Sequence, residues 1–164
     1  STDVELAFDC DDTDPATVIS GVNTLLLSAS TNPVADLVAL AATQSGDGIV
    51  SLPGDTGSNA FAVASVNVGS QDTITASANT GTATLPVTLS ICESDPGTGA
   101  CMAPPTTSVT TDIADGATPT FSVFATGTGT VPSDPAVNRI NVLFKDAADE
   151  TRGSTSVAVE TVTP

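Results

Sequence analysis

The sequence predicts an all-β protein, an antiparallel β-sandwich preceded by an N-terminal β-hairpin. Three observations carry that expectation. Short β-branched or alternating runs recur roughly every 8–14 residues, the spacing of sandwich strands. Turn residues separate them: Gly46-Asp47-Gly48, Pro53-Gly54-Asp55, Asn79-Thr80-Gly81, Asp115-Gly116 and Pro132-Ser133-Asp134-Pro135. No segment shows a sustained helical period.

Taken in order, residues 3–9 alternate, with Val4, Leu6 and Phe8 on one side. An acidic loop from Cys10 to Pro15 leads to a second strand over 23–29, and Ser30-Thr31-Asn32-Pro33 reads as a linker. The expected organisation is therefore a hairpin and linker over 1–33 and a sandwich over 34–164. Sandwich strands are expected near 36–43, 48–52, 59–68, 72–79, 85–92, 106–113, 119–126, 138–145 and 154–162. The cleanest is the run from Asn59 to Gly69, where Phe61, Val63 and either Val66 or Val68 should face inward. Ser65 and Asn67 should then face water, with a β-bulge between Val63 and Val66 absorbing the slip in phase.

The first hairpin duplicates the last. Val4-Glu-Leu-Ala-Phe8 aligns with Ile140-Asn-Val-Leu-Phe144, apolar on apolar and Phe on Phe. An acidic turn follows in both copies, then Gly21 or Gly153, then Leu25-Leu-Leu27 or Val157-Ala-Val159. Similarity at this separation is the mark of tandem units. The first copy is not preceded in this sequence by sandwich strands, and a lone two-stranded hairpin is marginal in water. Its apolar face is expected to be covered by strands from a longer array or from another molecule.

The core must be aliphatic. Apolar residues make up 40% of the 164, yet there is no Trp or Tyr, leaving Phe8, Phe61, Phe121, Phe124 and Phe144 as the large fillers. The formal net charge is −16, with Arg139, Lys145 and Arg152 the only bases. Nucleic-acid binding, which needs many phosphate-neutralising cations, is excluded, and an anionic membrane surface is disfavoured. No run reaches the ~20 apolar residues of a membrane span. The first residue is Ser1 rather than Met, which reads as the numbering of a processed product.

Cys92 and Cys101 flank a Pro/Gly loop and are expected to close it as an intrachain disulfide, placing the protein outside the reducing cytosol. Cys10 is left unpaired or intermolecular. Residues 3–29, the stretch from Asp36 to Pro53, and Leu89-Ser-Ile-Cys92 through Cys101-Met-Ala-Pro-Pro105 resemble the Ig-like repeats of long secreted proteins of Gram-negative bacteria. Val142 to Asp146 and Thr151 to Val159 resemble the ends of such repeats. The resemblance implies an Ig-like fold and an extracellular or cell-surface location, with no catalytic residue set to carry over. It also implies that a Cys at the position of Cys10 bonds to an upstream Cys of its own domain.

Without His, the Ser-His-Asp and Cys-His arrangements and any His-bound metal are excluded. Paired carboxylates remain available, but no Trp or Tyr can stack a sugar, so the chain is not expected to be an enzyme. Asp9, Asp11, Asp12 and Asp14 together present the oxygen ligands of a weak Ca²⁺ site, although the EF-hand pattern fails because Asp14 and Ser20 stand where Gly and Glu are required. A solvated acidic turn is the plainer reading, and no other cofactor is expected. Lys145, the single Lys, near Asn138 or Asn141 raises the idea of an isopeptide crosslink.

The expected role is structural: a subunit or repeat of an extracellular filament, stalk or surface array. Its partners would be copies of itself or neighbouring repeats, joined head-to-tail through the N-terminal hairpin. Val4, Leu6, Phe8, Leu25 and Leu27 would be the assembly residues, with Cys10 able to lock the junction. The alternative is an adhesin-type ligand-binding domain, whose loops here lack the Trp, Tyr and Arg that dominate binding hot spots.

Overall fold

The computed structural model describes every residue except Ser1, Phe8, Cys10, Ser20, Gly21, Val22, Ser28 and Pro164. Each run expected from the sequence forms a strand. Two strands, β1 (Thr2–Glu5) and β2 (Thr24–Leu27), pair as a separate antiparallel hairpin. The remaining strands are β3 (Leu37–Ala42), β4 (Ile49–Pro53), β5 (Ser58–Asn67), β6 (Asp72–Asn79), β7 (Val87–Ser94), β8 (Ser108–Ile113), β9 (Thr120–Gly127), β10 (Arg139–Lys145) and β11 (Thr151–Val162). They form a five-stranded sheet in the order β4-β11-β10-β6-β8 and a four-stranded sheet in the order β3-β5-β9-β7. This is an Ig-like β-sandwich. The chain changes sheets after β3, which is antiparallel to β5, so that β4 runs parallel to the final strand β11.

The core lies between the sheets, where alternate residues of the strands turn inward and most of those residues are apolar. β10 shows this cleanly: Ile140, Val142 and Phe144 are fully buried, while their neighbours reach solvent in part. Phe144 meets Phe121 of the opposite sheet edge-on, ring centroids 5.4 Å apart, an arrangement aromatic pairs favour. Leu52, Ile74, Ile91 and Ile113 fill the space around them. Gly153 marks a close approach between the two sheets. A Cβ there would lie 2.3 Å from the Leu37 carbonyl oxygen, so β3 crosses β11 only because that side chain is missing.

The expected phase of β5 is corrected. Pairing with β3 runs unbroken from Leu37 opposite Asn67 to Ala42 opposite Ala62, with no bulge between Val63 and Val66. The inward set is Phe61, Val63, Ser65 and Asn67; Val66 is half-buried on the outer side and Val68, beyond the strand, is 58% exposed. The polar pair goes inward because each finds partners there. Ser65 Oγ donates to the Pro119 carbonyl at 2.9 Å. Asn67 Nδ2 donates to the carbonyls of Ser70, Ile113 and Ala114, and its Oδ1 accepts from the backbone N–H of Asp36 and Gly69. A buried amide so satisfied costs little. The irregularity that does occur lies between Phe144 and Lys145, where β10 leaves β11 for the acidic turn.

Candidate functional site: the N-terminal hairpin

The hairpin repeats the geometry of β10–β11 as well as their sequence. Val4 pairs with Leu25, and the aligned residues Ile140 and Val157 pair with each other. Thr2 pairs with Leu27, and at the aligned place the Asn138 carbonyl accepts from the Val159 N–H. Residues opposed in an antiparallel ladder share a face, so Val4, Leu25 and Leu27 lie together. Between the strands the chain turns back at Asn23, whose Oδ1 accepts from the Ile19 N–H at 2.7 Å while its Nδ2 donates to the Thr17 carbonyl.

What differs is cover. Ile140, Val142, Val157 and Val159 are at most 2% exposed. Their counterparts Leu6, Leu25 and Leu27 are 45%, 58% and 52% exposed, and Val4 is only partly buried. In the sandwich, β4 and β6 flank β11 and β10 and the second sheet covers them. Among the described residues the hairpin sheet consists of β1 and β2 alone. Of the expected assembly residues, Leu6, Leu25 and Leu27 are thus presented to solvent and Val4 in part; Phe8 and Cys10 lie outside the described residues.

Asp9, Asp11, Asp12 and Asp14 are all exposed, and among the described residues no three His, Cys, Asp or Glu side chains come together in a group able to hold a metal. Cys92 and Cys101 are joined as a disulfide. The loop between them is built by Asp95, whose carboxylate accepts from the Gly97 and Thr98 N–H groups and the Thr98 hydroxyl, with Gly99 at φ 71° closing the turn. Those hydrogen bonds, the Thr98 hydroxyl first, hold the Asp95 carboxyl below its ordinary pKa.

The three bases sit on the outer side of the five-stranded sheet. Lys145 pairs with Asp149 at 3.0 Å, and Asn138 Nδ2 instead donates to the Pro132 carbonyl. Arg152 grips Asp146, with Nη2 and Nε at 2.6 and 2.7 Å from one carboxylate oxygen. Arg139 is different: it donates to Ser156 Oγ and the Pro135 carbonyl, and among the described residues it meets no carboxylate. Burial lowers its pKa from the ordinary value, yet an arginine remains a cation at neutral pH. It lines a cleft of about 730 Å³ with Asn79, Thr80, Asn141, Leu143 and Ile19 of the hairpin loop. The sequence singles out Arg139 only as one of three bases; the cleft it lines, with Ile19 and Asn79, is assembled by the tertiary fold.

No family model matches the chain, and no curated protein matches it. Among the described residues no helix is long and apolar enough to cross a membrane. A disulfide-bonded all-β sandwich fits a protein of an oxidising, extracellular compartment.

Proposed function

We propose that this protein is a structural unit of an extracellular filament, stalk or surface array, joined head-to-tail through its N-terminal hairpin. The observation that supports this is the pair of hairpins in one register, one with its apolar face buried and one with the same face bare. The missing cover is two flanking strands and a facing sheet, which a neighbouring unit supplies. Residues 34–164 already hold β10–β11 at that place. The hairpin therefore completes a neighbour that lacks its own final hairpin, or adds at an open sheet edge of a complete one. Either contact is heterologous, and heterologous contacts that do not close make open chains.

Sedimentation velocity and electron microscopy of the full chain test this. The full chain should form open-ended assemblies, and the chain without residues 1–30 or carrying Leu25→Asp and Leu27→Asp should stop at a small closed species. A full chain that never grows, or a truncated chain that grows as well as the full one, overturns the reading.

A second reading, a ligand-binding surface domain, is favoured by Arg139 and its cleft. A guanidinium that meets no carboxylate among the described residues, in a chain with 19 acids, suits a carboxylate-bearing ligand. Under it, Arg139→Gln abolishes surface attachment while assembly is unchanged; attachment that survives the substitution removes this reading.

A further inference from the structure

Arg139, Asn141 and Leu143 alternate along β10 on the outer face of the five-stranded sheet. Asn79 of β6 stands opposite Asn141 in the ladder, so the three polar side chains are neighbours on that face. The guanidinium is held in place. Nε and Nη2 donate to Ser156 Oγ at 3.1 and 2.9 Å, and Nη1 donates to the Pro135 carbonyl at 2.8 Å. A guanidinium has five N–H groups; with three so used, the other two have no partner among the described residues. One sits on each Nη, and two is the number that a carboxylate takes bidentately. The Asn141 amide makes no hydrogen bond among the described residues, and Asn79 uses only Oδ1, which accepts from the Gly81 N–H. Among the described residues no buried side-chain nitrogen lacks a partner, so both Nδ2 groups open on solvent. The duplicate ladder carries Asp3 and Glu5 at the places of Arg139 and Asn141. Strand pairing therefore demands neither a cation nor an amide there.

We propose that this cleft binds the C-terminal carboxylate of a peptide whose last residue is aliphatic. Charge selects the anion. Among the described residues the lining holds no Asp or Glu, in a chain of 19 acids, and Arg139 is its one base; Asp134, shortly before it in the chain, is exposed and does not line the cleft. A chain at −16 repels a polyanion, so the ligand brings a single negative charge to a single guanidinium. The body of the ligand follows from the rest of the lining. Val18, Ile19, Val137 and Leu143 offer aliphatic side chains, with Val18 42% and Val137 60% exposed at the rim. No Phe, Tyr or Trp is among the described lining residues to carry the flat face of a sugar. Nδ2 of Asn79 and of Asn141 supplies donors for main-chain carbonyls, and Asn141 Oδ1 an acceptor for an N–H. Capture of a chain terminus by such donors is a recurring mode of peptide recognition. The volume of about 730 Å³ lies within the about 300–1,000 Å³ of small-ligand sites. The assignment rests on the ligand-binding reading and does not depend on hairpin-driven assembly.

Isothermal titration calorimetry of the full chain tests this with an acetylated Ala-Ala-Val tripeptide as its free acid, the same tripeptide as its C-terminal amide, and galacturonate. The acid should bind, and the amide should bind at least tenfold more weakly. Arg139→Gln should weaken the acid at least tenfold, with circular dichroism confirming the fold. Val137→Asp, which places a carboxylate at the exposed rim, should weaken it to a similar extent. Thr110→Glu, an exposed site on β8 outside the cleft, should leave it unchanged. Equal binding of acid and amide, or binding that survives Arg139→Gln, overturns the proposal. Galacturonate bound through Arg139, with the peptide unbound, overturns the peptide terminus and leaves the ligand-binding reading standing. A chain that binds neither through Arg139 ends both.

Discussion

Asn67 ties together a corner where three segments meet. Its amide joins Asp36 at the start of β3, the Gly69–Ser70 turn and the end of β8, partners up to 47 residues away. Fully buried, it leaves several backbone groups unsatisfied if truncated, and each such group costs about 1–3 kcal/mol. Asn67→Ala should therefore lower unfolding free energy by about 2–4 kcal/mol in urea titrations, while Ser65→Ala, with one bond to lose, costs about 1 kcal/mol. Asp146 is the second such residue. Burial raises its pKa, but hydrogen bonds from Arg152, Glu150 and Ala148 and the charge of Arg152 outweigh that and hold it below the ordinary value. A carboxyl lowered in the folded state stabilises fully above its unfolded pKa, about 3.9, and the contribution fades as pH falls through the folded value. Asp146→Asn should accordingly be less stable than the parent at pH 7, and the gap between their urea midpoints should shrink steadily below about pH 4.

At the scale of the element, the matched hairpins allow a controlled comparison. Leu25 and Val157 occupy equivalent places, one 58% and the other 2% exposed. Leu25→Asp should shift sandwich stability by no more than about 0.5 kcal/mol, whereas Val157→Asp, which buries an unpaired carboxylate, should cost more than about 4 kcal/mol. Thermal melts monitored at the β-sheet signal distinguish them. Equal losses at the two positions would mean that the hairpin is already part of the core. Strand existence was legible throughout, because alternation and Gly/Pro turns are local signals. The hairpin duplication was legible too, as one apolar pattern written twice, while the pairing of Val4 with Leu25 emerged only from the structure. The phase of β5 was not. Preferring Val over Ser and Asn as inward residues is sound locally, and only partners such as Ile113 and Pro119, supplied by the tertiary fold, reverse it. The parallel pairing of β4 with β11 has no local signal either, and the bare face of the hairpin became certain as a surface only when its neighbours were placed.

For the whole molecule, charge sets the conditions for association. A formal charge of −16 on 164 residues makes every approach of two copies repulsive at long range, with a reach of about 30 Å at 0.01 M salt and about 8 Å at 0.15 M. The proposed junction is between apolar surfaces, with the hairpin leucines on one side of it. It gains no attraction from opposite charges, so screening removes a penalty and nothing else. Assembly should strengthen as NaCl rises from about 0.01 to about 0.5 M, with the steepest gain at low ionic strength, where the screening length changes most with added salt. A complex held by ion pairs does the reverse and dissociates as salt rises. Light scattering across that salt series therefore separates the two mechanisms: scattering that falls with added NaCl would point to Arg139, Lys145 or Arg152 at the junction and away from Leu25 and Leu27.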